Sequence, residues 1–277
     1  MKYMIHACPK RMWYVNDFLV PSMLDQGISM LDIRIWNDTE GLGNLLSCMK
    51  AFESLGRFYD STWHLQDDVV ISKTFRERAE YYRTEGVVTG FCHDRWDNHR
   101  NTGYVHPDKV WLAFQCIHIP DVYASECADW FFRYAQHRPD LQEKIRGGRD
   151  DDIIWRRFLQ ERHPDIWCMN VYPAMAEHVD WLIGGTTINF EREQKRGICR
   201  AAYWDEDDVI DDLKSRLEVY RKGDGPNGID RNGQSANTAK LSKSAVHTAE
   251  PDFLLDKRSG GGHQKSNPRK QLGADHG

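Results

Sequence analysis

The sequence lacks any apolar run long enough to cross a membrane: nothing in its 277 residues approaches the roughly 18 consecutive apolar positions a spanning helix needs. It also lacks a secretory core. The first twenty residues, MKYMIHACPKRMWYVNDFLV, scatter His6, Lys10, Arg11, Asn16 and Asp17 among apolar neighbours. A soluble, cytoplasmic protein with no membrane span is therefore expected. No CxxC pair occurs, and the cysteines number seven, an odd count that suits reduced thiols better than a disulfide framework or a zinc ribbon. There is no P-loop, no GxGxxG after a strand, no GxSxG and no HExxH, which disfavours the common NTPase, dinucleotide, serine-hydrolase and zinc-protease classes. No internal repeat of 20 to 50 residues is visible.

What is present is 40% hydrophobic and 29% charged, with mean hydropathy -0.69 and a formal net charge of -5. The charge is uneven. From Arg221 onward the chain holds ten Lys/Arg against six Asp/Glu, leaving 27 against 36 for the body. An acidic body argues against broad nonspecific attraction to nucleic acid. Residues 223–277 are rich in Gly, Ser, Asn, Lys and His and poor in apolar residues, so a disordered tail is expected behind one folded domain of residues 1–222.

Within that domain short β-rich runs alternate with helical stretches, the pattern of an α/β fold. Strands are expected at Lys2 to Cys8, Ser29 to Trp36, Thr62 to Gln66, Val87 to Phe91, Leu112 to Ile119 and Ile166 to Tyr172. Helices are expected at Met12 to about Gln26, interrupted or kinked at Pro21, at Leu42 to Gly56, at Ser72 to Tyr82 with a Thr74/Glu77 capping box, at Asp121 to His137, after Asp150, and at Asp205 to Lys222. The stretch from Cys92 to Lys109 reads as a long loop. The neighbouring aromatics Trp96 and Tyr104 could stack on a sugar or base, or simply pack.

Three places could carry chemistry. In WHLQDDVVIS, Asp67 and Asp68 close an apolar strand, where open α/β sheets place ligands, and could hold a divalent cation or merely start a turn. In GGRDDDIIWRRFLQE, Asp150, Asp151 and Asp152 stand at a helix start; one acid suffices for capping, and another could act as a general base. In AEHVDWLIGG, His178 joined to the two acidic sites would suit Mn2+ or a similar ion bridging diphosphate oxygens.

The order of these features resembles small GT-A fold glycosyltransferases. It runs from a first strand closing at His6 and Ala7 with Arg11 behind it, through IWND, GLGNLLSCMKAFES and QDDV, to the GGRDDD helix start and EHVDWLIGG. The likeness spans about residues 2 to 190 and is greatest to phage and bacterial types, with QDD as a variant of the DxD motif. It implies a GT-A-like, Rossmann-related mixed sheet flanked by helices. It further implies transfer of a sugar from a nucleotide-sugar, with a UDP-sugar expected, to a hydroxyl of a glycan or of a hydroxymethylated base in phage DNA, in the host cytoplasm if the gene is viral. By the same resemblance Asp68 and His178 would bind Mn2+ or Mg2+. Asp67, His6, Arg11 and Asp38 would surround the nucleotide, and Asp151 or Asp152 would face the acceptor as base. Gln66 stands where the family has an acid. The competing classes are a metal-dependent phosphoesterase or nuclease and a noncatalytic binding module.

Overall fold

The computed structural model describes residues 1–55, 60–91, 101–108, 113–147, 151–184, 201 and 203–224. Seven strands form the main sheet: β1 (Lys2–Ala7), β2 (Ile33–Asn37), β3 (Ser61–Gln66), β5 (Val88–Thr89), β6 (Gly103–Val105), β7 (Cys116–Pro120) and β8 (Cys168–Asn170). The sheet is mixed and runs in the order β2-β1-β3-β7-β5-β8-β6. β1 lies between β2 and β3 and is parallel to both, while β7 is antiparallel to β3 and β5. A separate two-stranded ribbon pairs β4 (Val69–Ile71) antiparallel with β9 (Ala176–His178).

The sheet is apolar on both faces, and helices cover each. One face packs α3 (Asn44–Leu55), α5 (Asp121–Arg133) and α7 (Asp151–Arg162) through Phe52, Phe131, Trp155 and Phe158. The other packs the helical segments before β2, α4 (Phe75–Tyr82) and α8 (Asp207–Val219) through Tyr14, Phe18, Phe75 and Leu213. Burying both faces explains why the strands read as short apolar runs with little alternation. α6 (Gln142–Gly147) lies between α5 and α7 in the chain. No helix among the described residues is long and apolar enough to cross a membrane.

Several expectations are corrected. The helix expected over Met12 to Gln26 is interrupted just before Pro21: α1 (Met12–Tyr14) passes through a π-helical turn at Val15–Leu19 into α2 (Val20–Asp25). Pro21 follows that turn inside a run that is helical on both sides. Ser29 to Trp36 is half strand. Ser29 Oγ accepts from Leu31 N, drawing Met30–Asp32 into a 3-10 turn before β2 begins. Thr74 is the residue before α4 but makes no capping hydrogen bond with its side chain, so the expected capping box is absent. The Cys92 to Lys109 loop contains β6, paired with β8. Trp96, Asp150, the second glycine of the 184–185 pair and the tail from residue 225 lie outside the described residues.

Candidate functional site

A cavity of about 480 Å³ opens at the carboxyl ends of β1, β2 and β3, lined by residues of those strand ends and of the α3 N-terminus. This is where an open α/β sheet receives a ligand, because the strand ends and the first helical turn expose backbone groups that no neighbour uses. The loop from β2 to α3 is built by Asp38. Its two carboxylate oxygens accept from Leu42 N and Gly43 N, each at 2.9 Å, and its own N–H donates to Ala7 O at 2.9 Å. Gly41 and Gly43 take φ of 70° and 83°, a left-handed backbone that side chains disfavour. The GLGN motif is thus the reason the loop folds back and sets Asn44, Ser47 and Cys48 on the cavity wall.

One wall is a buried ion-pair cluster. Arg11, on a 3-10 turn directly after β1, places Nη1 3.0 Å from Asp67 Oδ1 and also donates to Asp68 Oδ2. Cys8 N donates to Asp67 Oδ2 at 2.8 Å. The β4–β9 ribbon brings in the distant histidine. Val69 pairs with His178, Val179 N donates to Asp68 O at 2.8 Å, and His178 Nε2 comes 3.0 Å from Asp68 Oδ2. His178 Nδ1 lies 3.3 Å from Asp180.

The two acids are held differently. Burial works against ionisation of Asp68, yet His178 and Arg11 overcome it and hold the carboxyl well below the usual carboxylate range. Asp67 goes the other way, raised by burial and then by Asp68, with Arg11 and the Cys8 N–H opposing. Asp68 Oδ1 is buried with no hydrogen-bond partner among the described residues. An orphan carboxylate oxygen beside an imidazole and a second carboxylate is a donor set that fits a divalent cation. Among the described residues no group of three His, Cys, Asp or Glu is placed to hold a metal ion, and the cation that bridges the two acids is Arg11.

Another part of the lining is neutral. His6 lines the cavity and its Nε2 lies 2.8 Å from Nδ1 of the fully buried His64. Burial lowers the His6 pKa to about 4 and pushes His64 well below the ordinary value, helped there by His6 and His118.

The acids of α7 lie behind the α3 wall. Asp151 is buried, and the Asn44 side chain hydrogen-bonds to it. Burial, then Asp152, raises its pKa well above the ordinary carboxylate range, opposed by backbone N–H groups and the Asn44 side chain. Asp152 is half-buried and accepts from Ile153 N at 2.8 Å. Both acids act electrostatically on Cys48, which places them near the cavity wall although neither lines it. The structure thus gathers His6, Arg11, Asp38, Asp67 and Asp68 in one cavity, with His178 bonded to Asp68. His64 and Asn44 escaped sequence reasoning. His64 sits inside an apolar strand, where a lone histidine carries no signal of its own, whereas the helix start after GLG pointed to Asn44.

No family profile and no curated protein matches the sequence. Solved structures are similar at low identity. S. aureus TarS, residues 1–349, matches at 11% identity with TM-score 0.43, over 66% of this chain and 62% of that one. The chain therefore spans less than two thirds of that fragment. A Bacillus anthracis protein described as a glucose-1-phosphate thymidylyltransferase, in complex with sucrose, matches at 11% identity with TM-score 0.39, over 72% of this chain and 96% of that one. Likenesses this distant bear on neither substrate nor chemistry.

Proposed function

We propose that the protein is a metal-dependent glycosyltransferase that takes a nucleotide-sugar, a UDP-sugar being the expected donor, and delivers the sugar to an acceptor hydroxyl. The observation that carries this reading is the Arg11–Asp67–Asp68–His178 cluster at the end of a cavity formed by strand ends and a helix start. A nucleoside diphosphate leaving group develops negative charge, which must meet preorganised positive charge or donors. Asp68 and His178 would hold Mn2+ or Mg2+, which when bound supplies charge against the diphosphate.

The chain's own groups divide the remaining work. Arg11 keeps the acids compensated while no ligand is present, and its guanidinium is within reach of the cavity to donate to phosphate oxygens. The amino end of α3, which also lines the cavity, adds a positive dipole end. Asp38 shapes the loop that accepts the nucleotide. Asp151, buried and bonded to Asn44, steadies the wall, and the half-buried Asp152 beside it is the better placed of the two to take the acceptor proton.

The test is a panel of nucleotide sugars incubated with the full-length protein and Mn2+, read by nucleoside diphosphate release, with mass spectrometry of glycan and hydroxymethylated-DNA acceptors. Sugar-dependent UDP release with a mass gain of one sugar is expected. Cleavage of an acceptor without any nucleotide sugar would replace this reading with a phosphoesterase, and full activity in Asp68→Ala would remove the metal assignment.

A further inference from the structure

The histidine pair beneath the cavity sets the polarity of its floor. His6 Nε2 and His64 Nδ1 are 2.8 Å apart, with the rings 5.1 Å apart and tilted by 38°. Phe52 packs edge-on to both. Burial keeps both imidazoles neutral near pH 7, so each carries one proton. Their single hydrogen bond can then be made in two ways.

If His6 donates from Nε2, His64 must keep its proton on its own Nε2. That atom is inaccessible and has no partner among the described residues, so a buried N–H would be stranded. If His64 donates from Nδ1, its Nε2 is a bare lone pair, His6 accepts at Nε2, and the His6 proton moves to Nδ1. Stranded buried N–H groups are the rarer of the two kinds of orphan. The neighbouring His118 shows which kind this core tolerates. Its Nδ1 lies 2.7 Å from Gly86 O, a contact only an N–H can make, and its Nε2 is likewise buried without a partner. Since burial also keeps His118 neutral, with its pKa lowered to about 4, its Nε2 is a bare lone pair.

We infer that His64 is a positioning residue that fixes His6 as a hydrogen-bond donor, its Nδ1–H presented to the cavity for a ligand atom that accepts, such as a pyrimidine carbonyl oxygen. His6 Nδ1 is not among the atoms shut away from solvent, so it is the polar atom this side chain has left for the cavity. A ligand edge that can only donate at that point, such as an exocyclic amine, is refused because two donors would face each other. The carbonyl assignment rests on the nucleotide reading above. The tautomer does not.

The test is long-range ¹H–¹⁵N correlation on full-length protein labelled at histidine, without ligand, at pH 7. His6 should appear as the Nδ1–H tautomer. His64→Phe should release it to an averaged or Nε2–H state, whereas His64→Asn, whose amide N–H can still donate to His6 Nε2, should keep Nδ1–H. An Nε2–H or averaged His6 in the unmodified protein overturns the inference, and so does a His6 tautomer unchanged in folded His64→Phe. If His64→Phe does not fold, the unmodified protein and His64→Asn decide. UDP with Mn2+ should then shift the His6 Nδ1 resonance and bind roughly tenfold more weakly to His64→Phe than to His64→Asn. Absence of UDP binding in every form sinks the nucleotide reading but leaves the His6 tautomer established by its own spectrum. Binding that leaves the His6 resonance in place overturns the carbonyl contact.

Discussion

The two walls of the cavity solve the same problem in opposite ways. At the Arg11 wall, Asp68 stays ionised because it is paired, while burial and Asp68 itself raise the Asp67 carboxyl. Asp67 and Asp68 are bridged by a guanidinium, and Asp68 is also met by His178. At the histidine wall, polar groups stay neutral because burial offers no counter-charge, and His6, His64 and His118 all titrate below the ordinary histidine value. A ligand in the cavity meets both the charged cluster and the neutral His6. That is the division a nucleotide needs, diphosphate at one end and base at the other.

The difference is broken most severely by removing the pairing. Arg11→Met leaves two buried carboxylates without their cation and should cost about 3–5 kcal/mol in urea unfolding at pH 7. Added Mn2+ should return part of that loss by binding the native state. A loss under about 1 kcal/mol would mean that the acids do not depend on Arg11.

Acid attacks the neutral wall first. A histidine whose folded pKa is depressed takes up its proton more readily when unfolded, so stability contributed by neutral burial is full above the unfolded value near 6.5 and is lost as pH falls toward the folded value near 4. Each such histidine contributes a slope of up to about 1.4 kcal/mol per pH unit in that window. Asp68, held low by its partners, yields only in stronger acid, below its unfolded value of roughly 4. Denaturant midpoints at pH 6.5 and 5 should therefore differ clearly, and equal midpoints would contradict neutral burial. Asp38→Ala removes the two carboxylate oxygens that accept from the backbone N–H groups of Leu42 and Gly43 and should cost about 1–2 kcal/mol. The smallest effect is expected for Asp151→Asn. Burial disfavours the charged form of this carboxyl, so its isosteric amide should lower thermal stability by no more than about 3 °C by calorimetry, while a larger loss would show that the charged form is the one the fold relies on.

Much of this was legible in the sequence because the signals were local. The strand leading into Asp67 and Asp68, the helix after GLG and the apolar face of α5 each carry their pattern within one segment. The 3-10 turn before β2 was missed because one Ser29 hydroxyl outweighed a β-rich run, and the missing cap at Thr74 because spacing alone does not orient a side chain. Pairings between distant segments could not be read. Arg11 reaching the acid pair, the β4–β9 ribbon delivering His178, and His64 beneath His6 all depend on strand register, which one sequence does not display.

The most direct test of the charged wall is calorimetric titration of UDP into the full-length protein, with and without Mn2+, compared with Asp68→Ala. The account predicts binding that requires Mn2+ and falls by about a hundredfold or more in the variant. Equally tight binding without metal, or in Asp68→Ala, would contradict it.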